Sequence, residues 1–141
     1  MKAKKLTGEK AAEYIEDGMI IGLGTGSTAY YAIKKVGEMV RNGLKVKAVP
    51  TSKETAELAA AEGIELVELA DVESLDLTID GADEVDPDFN LIKGGGGALL
   101  REKIVASASE KLIIIVDESK LVEKLGEFPL PVEITPFSWQ Y

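Results

Sequence analysis

Predominantly apolar runs of four or five residues alternate along this chain with stretches of helical spacing, and that alternation limits its fold more than any other feature. The runs are residues 19–23 (MIIGL), 46–49 (VKAV), 64–67 (IELV), 75–79 (LDLTI) and 112–116 (LIIIV). Residues 89–92 are a further short candidate, and 132–134 begin another. Runs of this kind suit strands buried on both faces. Between them, residues 9–16 carry Ala11, Ala12 and Ile15 at helical spacing and stop at Asp17-Gly18. Residues 27–40 read as a helix with Ser27 or Thr28 at its start and Asn42-Gly43 after its end, and 52–62 as another closed by Gly63. Residues 98–109 and 119–125 complete the helical set. Strand and helix in turn predict an α/β fold of three layers, a mainly parallel open sheet with helices on both faces, Rossmann-like in kind.

At 141 residues the chain is one domain in size, enough to bury roughly 68–70% of the surface its unfolded form exposes. Its 16 basic residues face 25 acidic ones, a net charge of −9. Such a surface repels a phosphate backbone, so nucleic acid is not expected as a partner. There is no cysteine and no histidine. Disulfides and thiolate metal sites are therefore excluded, and proton chemistry must run on carboxylates and lysines. The basic start, Met-Lys-Ala-Lys-Lys, is followed by no apolar stretch of signal length, and the apolar runs are too short to cross a bilayer. The expectation is a cytoplasmic protein without a membrane partner. Three of the five prolines fall within residues 128–136, which reads as a linker.

Each principal strand candidate but 64–67 ends in a polar cluster. Gly24-Thr25-Gly26-Ser27-Thr28 follows the first, Pro50-Thr51-Ser52 the second, Asp80-Gly81-Ala82-Asp83-Glu84 the run at 75–79, and Asp117-Glu118-Ser119-Lys120 the run at 112–116. The carboxyl ends of a parallel sheet share one edge, where open α/β folds bind ligands. Four clusters thus converge on one place.

The glycine-rich cluster opens a helix, so its backbone N–H groups and the helix N-terminus suit a phosphate, with hydroxyls from Thr25, Ser27 and Thr28. It is neither a Walker A loop nor a good dinucleotide fingerprint. A tight turn with a serine cap accounts for it equally well. Asp80 and Asp83 can face a cleft together and bond sugar hydroxyls; an acidic turn or a Mg²⁺ site are the other readings. Lys93 precedes four glycines, Gly94, Gly95, Gly96 and Gly97. That costs backbone entropy a plain loop has no need to lose, which points to close approach of a ligand. Glu102, in the first turns of the helix that follows, faces the same cleft or is a solvated carboxylate favoured by the helix dipole.

Together these segments resemble ribose-5-phosphate isomerase of the A type. The resemblance lies in residues 22–28 (GLGTGST), 50–52, 80–84 (DGADE), 91–97 (LIKGGGG), 101–104 (REKI), 116–120 (VDESK) and 129–134 (PLPVEI), collinear over nearly the whole chain. It implies interconversion of ribose 5-phosphate and ribulose 5-phosphate without metal or cofactor, with a small sugar phosphate as partner. Glu102 would move a proton between C2 and C1 through an enediolate, Asp80 and Asp83 would assist ring opening and proton movement, and Lys93 would stabilise the oxyanion. Thr25, Gly26, Ser27, Thr28, Lys120 and Lys4 would hold the phosphate, while Gly81, Ala82, Gly94, Gly95 and Gly96 would line the substrate.

Family members continue into a second, smaller α/β domain and then return a segment to the first sheet. Residues 1–141 are therefore expected to form a single truncated α/β catalytic domain, with apolar surface left open and a homo-oligomer as the result. A non-catalytic phosphosugar-binding module and an engineered folding fragment are the other readings; Glu102 argues against the first, since binding needs no base.

Overall fold

A computed structural model describes residues 1–141. Its sheet grows outward from β1 (Ile20–Leu23), which lies between β2 (Lys47–Pro50) and β4 (Leu77–Asp80). β3 (Glu65–Leu66) pairs outside β2 and β7 (Leu112–Ile114) outside β4, every pairing parallel. The chain walks one way from β1 to β3 and then crosses back to lay β4 on the other side of β1. Strand order reverses there, and the connections after β1 and β4 leave a crevice at their carboxyl ends.

Side-chain alternation sends each strand's residues to two cores. Ile21, Leu23, Ala48, Leu77 and Ile79 join Ala11, Ala12, Ala32, Ile33, Val36 and Ala59 from α1 (Lys2–Ala12), α2 (Ala29–Arg41) and α3 (Lys53–Ala61). On the opposite face, Val49 and Leu75 pack with Ile20 and with Val105 of α4 (Leu99–Ser107). Helices thus cover both faces, as the alternation predicts. Burying each valine, leucine or isoleucine among them contributes about 1.5–3 kcal/mol, and each alanine well under that. Gly22 lets α4 lie close to the sheet, for a Cβ there would sit 2.7 Å from Val105 Cγ1 and overlap the Thr78 hydroxyl.

Local chemistry sets the helix ends. Ser52 Oγ caps α3 by accepting Thr55 N–H at 3.1 Å. Asn42 ends α2, and Gly43 then turns with φ +108°. Thr28 occupies the start of α2 but gives no side-chain cap.

Four elements differ from the sequence expectation. The first helix runs over Lys2–Ala12 rather than 9–16. Gly8 brings it against α2, where a Cβ would stand 2.8 Å from Ala32 N, so the helix is fixed by that contact and Ile15 is buried from the turn after it. Residues 119–125 are not a helix. Only a 3-10 turn at Glu118–Lys120 forms, because Val122 N–H then pairs with Val85 O at 3.0 Å and demands extended backbone. The run at 89–92 does supply a strand, β6 (Leu91–Ile92), but it pairs antiparallel with β5 (Glu84–Val85) in a hairpin outside the main sheet. Residues 132–134 have no strand partner and lie exposed. No helix is long and apolar enough to cross a membrane.

Candidate active site

The crevice between β1 and β4 is closed underneath by Asp80, the last residue of β4, whose side chain is almost wholly buried. Its Oδ1 accepts N–H from Thr25 at 3.2 Å and from Gly81 at 2.8 Å. Its Oδ2 takes the Lys93 ammonium at 3.1 Å. Gly24 makes this possible: a Cβ at that position would overlap the Asp80 carboxylate. Asp80 therefore ties the loop after β1, the loop after β4 and Lys93 together from behind.

Lys93 follows β6, so the β5–β6 hairpin carries it over the sheet edge. Its ammonium also donates to Gly81 O and lies 2.7 Å from Glu102 Oε1. Glu102 is buried, not solvated as the dipole reading had it, on the first turns of α4. Burial pushes its carboxyl up; the hydrogen bond from Lys93 opposes that, and the negative charge of Asp80 adds to it. A raised carboxyl beside a fixed cation has the properties of a base for a proton next to a carbonyl.

These groups line a cleft of about 130 Å³ with Thr25, Gly26, Ser27, Thr28, Gly81, Ala82, Asp83, Gly94, Gly96 and Lys120. Of the site residues expected from sequence, Asp80, Gly95 and Lys4 stand outside that lining. Asp80 is behind it. Gly95 donates its N–H to Asp83 Oδ2 at 2.8 Å, bracing the glycine loop. Lys4 Nζ donates to Ser27 Oγ at 2.9 Å, and Asp117 Oδ2 is 4.0 Å away. The Asp117 carboxyl is held low by its bond from Ser119, and by Lys4 and Lys120 nearby. The Mg²⁺ reading of Asp80 and Asp83 does not fit this donor set: Asp80 already accepts from two amides and an ammonium, a cation standing where Mg²⁺ would, and Asp83 accepts from the Gly95 amide.

Two threonines not assigned from sequence hold the loop after β1. Thr55 Oγ1 donates to Gly24 O at 2.9 Å and Thr51 Oγ1 to Leu23 O at 3.0 Å. Thr25 Oγ1 lies 2.7 Å from Thr51 Oγ1, so its hydroxyl is shared with them. Thr51 was visible in the cluster after β2; Thr55 gave no signal beyond its place beside the Ser52 cap.

Residues 47–141 match the family of Ribose 5-phosphate isomerase A (phosphoriboisomerase A). The chain belongs to that family. The ribose-5-phosphate isomerase A of Listeria monocytogenes (serotype 4b, strain CLIP80459) is 63% identical over 137 residues, which are 97% of this chain and 61% of that protein. This chain thus spans about three fifths of the length of that curated relative. The ribose 5-phosphate isomerase A of Methanocaldococcus jannaschii superposes with TM-score 0.86 at 44% identity, over 89% of this chain and 56% of that one. A D-ribose-5-phosphate isomerase in complex with phospho-erythronic acid also gives TM-score 0.86, at 46% identity over 88% and 55%.

Proposed function

We propose that this chain carries the binding and proton-transfer groups of an aldose–ketose isomerase that interconverts ribose 5-phosphate and ribulose 5-phosphate. The observation that carries the reading is the buried Glu102 carboxylate 2.7 Å from the Lys93 ammonium, at the wall of a cleft whose other end is the glycine loop opening α2. Membership of the ribose 5-phosphate isomerase A family agrees with it.

With the phosphate against Gly26, Ser27 and Thr28 at the N-terminus of α2, the dipole and backbone N–H groups favour its charge. Lys4 and Lys120 add positive charge to an otherwise acidic molecule; the local field decides, not the net charge. Asp83, on the cleft wall, takes the proton of the anomeric hydroxyl as the C1–ring-oxygen bond breaks and hands that same proton to the departing ring oxygen, so the carboxylate ends as it began. In the open-chain aldose, Glu102 takes the C2 proton. The electron pair forms the C1–C2 double bond and the carbonyl pair moves to O1, giving an enediolate. Lys93 donates to the oxygen where negative charge grows. The O2 proton passes to O1, Glu102 returns its proton to C1, and the carbonyl is left at C2. Asp80 does not touch the sugar in this scheme; it fixes Lys93 and the Thr25 amide.

Homo-oligomerisation belongs to the same reading. Leu100, Ile104 and Val132 are exposed together near the glycine loop, an apolar surface suited to a second copy.

The test is conversion of ribose 5-phosphate in deuterated water, followed by NMR for ketose and for deuterium at carbon. Glu102→Gln is expected to abolish both. Turnover retained in that variant would remove Glu102 as the base, and absence of conversion with sugar phosphate still bound by the unaltered chain would leave a binding module.

A further inference from the structure

Glu84 is the one acidic residue of the DGADE run with no part in the chemistry above, yet it is 2% exposed. A carboxylate buried that deeply must be well bonded to persist. Both its oxygens accept backbone N–H groups from a distant segment: Oε2 from Gly126 at 2.7 Å, Oε1 from Phe128. Gly126 has φ +120°, a conformation that favours glycine and presents its N–H to the carboxylate. The segment so held runs beneath the glycine loop. A Cβ at Gly95 would stand 2.8 Å from both Phe128 Cζ and Asp83 Oδ1, and one at Gly94 would be 3.4 Å from Pro131 Cβ.

We infer that Glu84 is a positioning residue: it seats Phe128 against Gly95 and thereby fixes the glycine loop that forms one wall of the cleft. The loop has two supports at Gly95, the Asp83 carboxylate that accepts its N–H and the Phe128 ring that lies against it. Four successive glycines have little conformational preference of their own, so the grip has to come from outside the loop. Adjacent residues, Asp83 just before β5 and Glu84 at its start, thus serve both supports. Asp83 bonds Gly95 directly, and Glu84 acts through Phe128. Bonds from a carboxylate to backbone N–H groups are among the stronger ones available for such a task.

Amide hydrogen exchange on the whole chain tests this without reference to turnover, in Glu84→Gln and Phe128→Leu. Glutamine keeps the size of the side chain but can accept only one of the two N–H groups. Exchange at 94–97 should rise by about tenfold or more in both variants while the strands β1 and β4 stay protected. Inorganic phosphate should bind with unchanged affinity, because its contacts lie at the other end of the cleft. A second arm rests on the isomerase reading: kcat should fall by about 10–100-fold with KM altered little, since misplacement of a catalytic wall costs rate. Unchanged exchange at 94–97 in either folded variant overturns the inference. A uniform rise over the whole chain also overturns it, as that is ordinary loss of stability. If Glu84→Gln does not fold, Phe128→Leu decides by the same criteria. Altered exchange in a chain whose unaltered form shows no turnover would keep the inference and reject the isomerase.

Discussion

The Lys93 ammonium and the Glu102 carboxylate lie 2.7 Å apart although they come from separate elements, one from the end of β6 and one from α4. Lys93 is anchored to Asp80 and Gly81, so Glu102 meets a cation whose position is set by the sheet. The pair is poised between two effects. Burial raises the Glu102 carboxyl, and Lys93 restrains the rise.

On the proposed isomerase function with Glu102 as base, the acid limb of the rate should lie above the ordinary carboxylate range. A base works only when deprotonated, so kcat/KM falls as pH drops through the raised value. Asp80→Asn removes a negative charge that adds to the rise, and the limb should move to lower pH. Lys93→Met removes the restraint, and the limb should move higher while the rate itself drops steeply. Rate–pH profiles of the three proteins measure this; a limb that stays in place in both variants would show that another group titrates.

The same rise has a stability consequence. A carboxyl whose folded value is above its unfolded one stabilises the fold below the ordinary range, and that contribution is lost as pH rises through the folded value. At neutral pH the charged Glu102 is therefore a cost. Glu102→Gln should raise the melting temperature at pH 7 by about 2–5 °C. The gap should close near pH 4, where Glu102 is protonated and resembles glutamine. Calorimetric scans at the two pH values decide it, and equal stability at pH 7 would mean that Lys93 fully compensates the burial.

The sheet and the convergence of polar clusters on its edge were legible because buried parallel strands leave unbroken apolar runs. Residues 19–23, 75–79 and 112–116 needed no tertiary information. Glu102 was different. On sequence a solvated helix carboxylate was the better explanation, and only the fold shows it buried beside the Lys93 that the hairpin delivers. Residues 119–125 misled for a related reason: helical spacing is a local signal, and the partner that makes 121–122 extended is Val85, far along the chain. The roles of Asp80 and Asp83 were merged in sequence because both are aspartates in one turn. Strand pleat and the glycine at 24 separate them, turning one carboxylate under the site and leaving the other on its wall.

Gly24→Ala isolates that close approach. The added methyl would sit 2.6 Å from Asp80 Cα and overlap its carboxylate, and neither the strand nor the Thr25 contact can shift cheaply. Overpacking of this kind costs about 1–3 kcal/mol. Denaturant unfolding should show that loss, with turnover falling further than stability alone explains. A fully stable variant would mean that Asp80 can turn aside, and with it the account of how Lys93 is held.

Self-association is expected through the surface formed by α4 and the segment after Phe128. Leu100, Ile104 and Val132 border a groove of about 570 Å³ there. Charge on this face is the simplest probe. Ile104→Asp should shift sedimentation toward monomer while leaving the melting transition cooperative, because Ile104 is half exposed already. A monomer at high concentration in the unaltered chain would reject association by any surface.

Binding and catalysis should separate within the cleft. The end proposed for the phosphate is a compact unit: the loop after β1 is fixed by Thr51, Thr55 and Asp80, and Lys4 reaches Ser27 directly. The end proposed for proton transfer instead joins groups from β4, the hairpin and α4, and catalysis there would need their mutual placement to hold within a fraction of an ångström. An error of about 1 Å there costs on the order of 10²-fold in rate. Changing Ser27 and Thr28 together to Ala removes two hydroxyls and frees the Lys4 ammonium from Ser27, while the backbone N–H groups remain. Affinity for a five-carbon sugar phosphate should fall by about 10–100-fold, at about 1 kcal/mol for each hydrogen bond lost and more where the acceptor is charged. Glu102→Gln should leave that affinity within about twofold, because glutamine still fits beside Lys93 and the phosphate is held at the far end. Titration calorimetry with both variants reads the two ends independently. Unchanged affinity in the Ser27/Thr28 variant would put the phosphate elsewhere, and a large loss in Glu102→Gln would mean that the carboxylate holds the sugar in the ground state and does not act in the proton transfer alone.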